Sequence, residues 1–125
     1  MIAIDDPEVL REVGVALDRY ERALMANDLA ELDALFWTAP QTRRFGATEN
    51  LYGFEAIAAF RRARPNGAPQ RVALRRAITA FGRDVASADI EFQPVGSARI
   101  GRQTQCWVRT DAGWRIASAH VSLMV

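Results

Sequence analysis

An α+β fold, with one curved antiparallel sheet wrapped around three N-terminal helices, is predicted by three features of this 125-residue sequence. Helix caps and apolar residues spaced by three and four fill the stretch up to Arg64. From Gln70 onward, apolar and polar residues alternate as they do along strands. Near the C-terminus, Gly101 to Ser122 (GRQTQCWVRTDAGWRIASAHVS) reads as two long strands around a tight turn. Helices first and longer antiparallel strands afterwards is the order of a sheet with helices on one face.

The elements follow in chain order. Asp6 is placed to cap a first helix, with Pro7 at its first position and Glu8 facing its positive end. Leu10, Val13, Leu17, Tyr20 and Leu24 then form one apolar stripe. Asn27 suits the left-handed residue that ends this helix, and Asp28 caps a second one through Leu29, Leu32, Leu35 and Phe36, stopped by Pro40. Short strands follow at Thr42 to Gly46 and Leu51 to Gly53, and the first sends Arg43 and Arg44 to opposite faces. A third helix spans Phe54 to Arg64, and Pro65 to Pro69 is a loop. Arg71 to Phe81 and Val85 to Phe92 are strands with Val72, Leu74, Ile78, Ala86, Ala88, Ile90 and Phe92 on the dry side.

In the last hairpin, a turn centred on Ala112 and Gly113 pairs Arg109 with Ile116, Trp107 with Ser118, Gln105 with His120 and Gln103 with Ser122. That face is the expected pocket wall. The opposite face, with Cys106, Val108, Ala117, Ala119, Val121 and Leu123, is the expected homodimer interface, being too apolar to leave in water.

The length suits one domain, 1–125. With one cysteine and one histidine, neither a disulfide framework nor a His-rich metal cluster is available, and a net charge of +1 argues against a strongly basic nucleic-acid binder. No apolar run reaches the roughly 18 residues of a membrane span, and MIAIDDPEV lacks the basic and hydrophobic regions of a signal peptide, so a cytoplasmic location is expected. Residues 1–60 hold 11 acidic and 5 basic side chains, whereas residues 61–125 hold 4 acidic and 11 basic, all of the basic ones arginine. Exclusive arginine use is explained by codon bias or by a site for carboxylates, which guanidinium groups grip bidentately.

GWRIASAHVS resembles the final strand of the nuclear-transport-factor-2-like (NTF2-like) cone, specifically its SnoaL-like branch. RYERAL at Tyr20, ELDALFW at Glu31, RRFGATENLYGFEAIAAFRRARP from Arg43 and RIGRQTQCWVR from Arg99 together resemble the AtzH-like family over nearly the whole chain. That resemblance implies a cystatin-like roll acting on carboxylated ureas in nitrogen catabolism. It implies decarboxylation of 1,3-dicarboxyurea to urea-1-carboxylate without a cofactor, beside an amidase that is a candidate partner. Members connected to oxalurate and purine degradation have no settled reaction, so a binding or amidase-partner role is an alternative, as is SnoaL-like acid–base isomerase or cyclase chemistry. The family pairs a tyrosine on the first helix with an arginine on the strand after the second, and the matching positions are Tyr20 and Arg44.

An N-carboxylate loses carbon dioxide when a proton engages its nitrogen lone pair and its carboxylate is poorly solvated. Arg44 suits a carboxylate anchor, and Tyr20 suits a proton donor. Alternatively, Arg44 is a solvated strand arginine and Tyr20 a core tyrosine with a satisfied hydroxyl. His120, Gln105, Gln103 and Ser122 are candidates to polarise the substrate, and Tyr52, Glu49 and Asn50 of ENLYG are candidates to bind it or to cap the third helix. Arg64 is placed to reach a second carboxylate, and Arg43 is expected to face away. The implied ligand is a small anion, with no nucleic-acid or membrane partner.

Overall fold

The computed structural model describes Met1–Val125. Helix α1 covers Pro7–Ala26, and the Asp6 side chain accepts from the Glu8 and Val9 backbone N–H groups. It ends at Asn27 with φ 51° and ψ 43°. Val9, Val13, Ala16, Leu17, Tyr20 and Leu24 form its buried stripe. Helix α2 is Leu29–Leu35, capped by Asp28. It stops before the expected Phe36 and well before Pro40, because Phe36 is extended, bridges Ile116 and leaves the Trp37 N–H to donate to the Ile116 carbonyl at 2.9 Å. The sheet captures the chain before proline can act.

Strands β1 (Arg43–Phe45) and β2 (Asn50–Tyr52) form a small hairpin, and α3 covers Phe54–Ala63. Four longer strands follow: β3 Arg71–Phe81, β4 Val85–Pro94, β5 Gly101–Thr110 and β6 Gly113–Leu123. The open sheet runs β2-β1-β6-β5-β4-β3, antiparallel except where β1 lies parallel to β6. The helices cover one face, around a core that includes Leu17, Leu35, Phe36, Ile57, Trp107 and Ile116. At the far edge, Ile4 bridges Phe81, the Asp5 N–H donates to the Ala80 carbonyl, and the Ala80 N–H donates to the Asp5 carboxylate. The charge asymmetry becomes a pairing between layers: Asp6, Asp18, Glu12 and Glu21 on and beside α1 meet Arg83, Arg76, Arg109 and Arg71 of the sheet and its turns. No helix is long and apolar enough to cross a membrane.

Two β-bulges depart from simple alternation. The β5–β6 turn is centred on Asp111 and Ala112, so Thr110 pairs with Gly113, Arg109 with Trp114 and Trp107 with Ile116. Ala117 is then an extra residue, since Cys106 already pairs with Ser118. Beyond it, Gln105 faces Ala119, Thr104 faces His120, Gln103 faces Val121 and Arg102 faces Ser122. The expected inner face of β5 stands, but the distal half of β6 is inverted. Ala119 is buried, Val121 and Leu123 pack against the core, and His120 and Ser122 lie on the outer face.

The second bulge is Leu74, unpaired between Ala73–Phe92 and Arg75–Glu91. Val72 and Leu74, expected on the dry side, are exposed, and Arg71 turns inward instead. Phe92, opposite Gly101, lays its ring where a side chain at that glycine would stand. We expect Gly101→Ala to destabilise the fold by about 1–3 kcal/mol, read from urea midpoints. In a Phe92→Leu background the penalty should shrink, since the two side chains compete for one space.

Candidate functional site

A cavity of about 470 Å³ opens between the C-terminal half of α1, α3 and the β1–β2 hairpin on one side and the distal ends of β3, β4 and β6 on the other. That size suits a small-molecule site. Its apolar wall includes Leu24, Phe60, Phe92, Val121 and Leu123, and its polar lining includes Tyr20, Arg44, Glu49, Arg64, Arg71 and Arg99.

Each arginine is held differently. Arg44 leaves β1 on the face opposite the exposed Arg43, and its Nη1 donates to Glu49 Oε1 at 3.0 Å with both side chains largely buried. Arg71 donates from Nε and Nη2 to both oxygens of Glu21, at 2.9 and 2.8 Å, and lies 4.3 Å above the Phe92 ring. Arg64 stacks on Phe60 at 5.3 Å, and its buried Nε has no partner. Behind this wall, Arg61 is almost fully buried, 4.2 Å over Phe36 and 3.4 Å from Asp33. Stacking suits guanidinium, which is planar and weakly hydrated.

Burial lowers Arg61 to about 10, the Arg44 and Arg64 charges add to that effect, and Tyr20 and Asp33 oppose it. Arg64 is also lowered, by burial first and the Arg44 charge second. Clustered guanidinium groups that discourage one another's charge are a standing demand for an anion. Glu49 answers part of it. Burial raises its carboxyl, but hydrogen bonds from Thr48 and Arg44 and the Arg44 charge outweigh that and hold it below the usual carboxylate range.

Tyr20 lines the cavity with its hydroxyl 3.0 Å from Gln103 Nε2, so Tyr20 and Arg44 share one chamber. Among the remaining candidates, Gln103 touches Tyr20, while Glu49 and Arg64 line the cavity. His120 and Ser122 do not, because the Ala117 bulge turns both outward. His120 instead stands edge-on to Phe45 beside a shallow outer hollow. Gln105 points inward but is fully buried away from the chamber, accepting from Trp107 Nε1 at 2.9 Å. Tyr52 is exposed and packs edge-on against Phe45, and Asn50 is exposed on β2 at the sheet margin. Neither lines the chamber. Arg71 and Arg99 do so without having been singled out; Arg71 depends on the Leu74 bulge, which leaves no local mark in the sequence. No three His, Cys, Asp or Glu side chains are grouped to hold a metal ion.

Because the Glu49 carboxyl is lowered, its stabilisation is present at neutral pH and fades as pH falls below the usual carboxylate range. Glu49→Gln should therefore cost about 1 kcal/mol at pH 7 and flatten the acid limb of the stability–pH curve, measured by urea unfolding. The same variant should bind carboxylate ligands more tightly, having vacated Arg44.

Comparison with known proteins fits this geometry. A family model described as AtzH-like matches residues 2–125. A solved protein of unknown function from the DUF3225 family of Pectobacterium atrosepticum is 51% identical, with 98% of this chain and 95% of that chain covered and a TM-score of 0.94. A cystatin-like fold protein from Burkholderia xenovorans is 39% identical over 100% and 98% of the two chains, also with a TM-score of 0.94. An NTF2-like superfamily protein from Salmonella enterica, 22% identical over 92% and 90% with a TM-score of 0.75, shares the fold. A search of curated proteins finds no match. With its NTF2-like, cystatin-like architecture and a model match from end to end, the chain belongs to the AtzH-like family.

Proposed function

We propose that the protein is a cofactor-independent lyase for carboxylated ureas, removing carbon dioxide from 1,3-dicarboxyurea to leave urea-1-carboxylate. The observation that carries this reading is the convergence of the Tyr20 hydroxyl and the Arg44 guanidinium on one half-apolar, arginine-rich chamber. Membership of the AtzH-like family supports the substrate class.

Arg44 and Arg64 hold the carboxylate that remains, Arg44 exchanging Glu49 for the substrate. The departing carboxylate lies toward Phe92, Val121 and Leu123, where few waters can solvate it. Tyr20 gives a proton to the adjacent nitrogen as the C–N bond breaks; the bond pair stays on nitrogen, carbon dioxide leaves, and solvent reprotonates the phenolate. The surrounding guanidinium groups stabilise that phenolate while it lasts.

The test is carbon dioxide release by wild type, Arg44→Ala and Tyr20→Phe, each first shown to be folded. Tyr20→Phe should lower kcat by about 100-fold or more, the usual scale for a general acid. Arg44→Ala should raise KM by roughly 30-fold, the scale of a lost charge-assisted contact. Turnover kept in both variants would move the chemistry elsewhere. An inert wild type whose melting temperature rises with dicarboxylates would make the protein a binding module.

We also propose that two copies associate through the outer face of the sheet, which no helix covers. Its apolar part includes Cys106, Val108, Val85, Val72 and Leu74, a different set from the one alternation suggests. Light scattering should give twice the chain mass at micromolar concentration; a monomer there would overturn this.

A further inference from the structure

We infer that Gln103 is a positioning residue that fixes the direction of the Tyr20 hydroxyl proton, aiming it into the cavity. Tyr20 ends a row of hydrogen bonds whose polarity is forced at every step. Glu21 only accepts and Arg71 only donates, so their two-pronged pair has one possible sense. The Nη2 group of Arg71 has a second hydrogen, which goes to Gln103 Oε1 at 2.8 Å. A primary amide has a donor and an acceptor end, and the donor-only guanidinium must face the acceptor. The NH₂ end therefore points the other way, at the Tyr20 oxygen 3.0 Å away.

A phenol has one hydrogen, and against an N–H donor its oxygen accepts. That hydrogen must go elsewhere. The Tyr20 hydroxyl donates to no protein acceptor, and the open space beside it is the cavity. Gln103 and Arg71 are both almost fully buried, so water does not scramble this order. The proton's direction stands on geometry alone; its use in catalysis rests on the lyase reading.

Gln103→Glu tests this with nearly unchanged volume. The substituted carboxylate keeps an acceptor for Arg71 but offers Tyr20 only an acceptor, drawing the phenol hydrogen out of the cavity. Kinetically, Gln103→Glu should lower kcat by about 100-fold, as Tyr20→Phe does, and move KM by less than about 5-fold. The double variant should be no worse than either single one. Gln103→Met, which leaves the phenol free to turn, should retain more activity than Gln103→Glu. A purely structural Gln103 predicts the reverse, because only the methionine variant leaves Arg71 short of an acceptor. That reversal, or multiplying defects, would overturn the proposal.

A second readout needs no turnover. The chain has two tyrosines, Tyr20 and Tyr52, so a protein labelled with ¹³C at tyrosine Cζ gives two NMR signals that Tyr52→Phe assigns. Gln103→Glu should move the Tyr20 signal downfield, toward the phenolate position, as the phenol changes from acceptor to donor, and should leave Tyr52 in place. An unmoved Tyr20 signal would overturn the proposal even in an active enzyme. A moved signal in an inert protein would uphold it while the lyase reading fails.

Discussion

The chamber depends on a polar seam that joins α1 to the sheet, running from Glu21 through Arg71 and Gln103 to Tyr20. Seams of this kind are costly to bury and tolerable only when every member is satisfied. Here the charged end is a bidentate pair stacked on Phe92, and the neutral end is a phenol with a hydrogen to spare. The stripe of α1 gives way at Tyr20 from aliphatic core to this seam, and there the helix ceases to lie flat on apolar residues and forms a wall instead.

Behind the seam, charge is arranged so that the protein nearly satisfies itself. Arg44 has Glu49, Arg61 has Asp33 and Arg71 has Glu21, while the Arg64 Nε is buried without a partner. A cavity with a full set of internal counter-ions would have little reason to admit an anion. One with none would be hard to fold. Glu49 sits on the short β1–β2 turn with its carboxylate folded back over Gly46, where any side chain would collide with it. Its place on a turn rather than a helix means that little packing is lost when the Glu49 side chain swings away from Arg44.

Most of the scaffold was legible in the sequence because local chemistry decides it. Asp6, Asn27 and Asp28 act within one helical turn, and the stripe from Val13 to Leu24 follows from helical periodicity. Tyr20 and Arg44 emerged from family likeness rather than from spacing, and both reach the cavity. The residues that went astray lie beyond the bulges at Leu74 and Ala117. A single inserted residue reverses every side chain that follows, so His120 and Ser122 went out and Val121 and Leu123 came in. Nothing in LRR or IASAH marks that insertion, because a bulge is selected by the curvature of the whole sheet. Phe36 fell to a similar long-range effect, its helical register yielding to a bridge with Ile116.

The margins of the sheet have a consequence for assembly. At one end the last residues of β3, Ala80 and Phe81, are overlaid by Ile4 and Asp5, while the rest of that edge is broken by the Leu74 bulge and carries exposed Arg75 and Arg76; at the other end β2 is only a three-residue strand. A bulge, edge charges and a short partner strand blunt both margins against strand-by-strand addition of a neighbour. Crowding of copies then meets margins shaped against edge-to-edge zippering, and the broad sheet face, rather than its rim, is left as the larger surface.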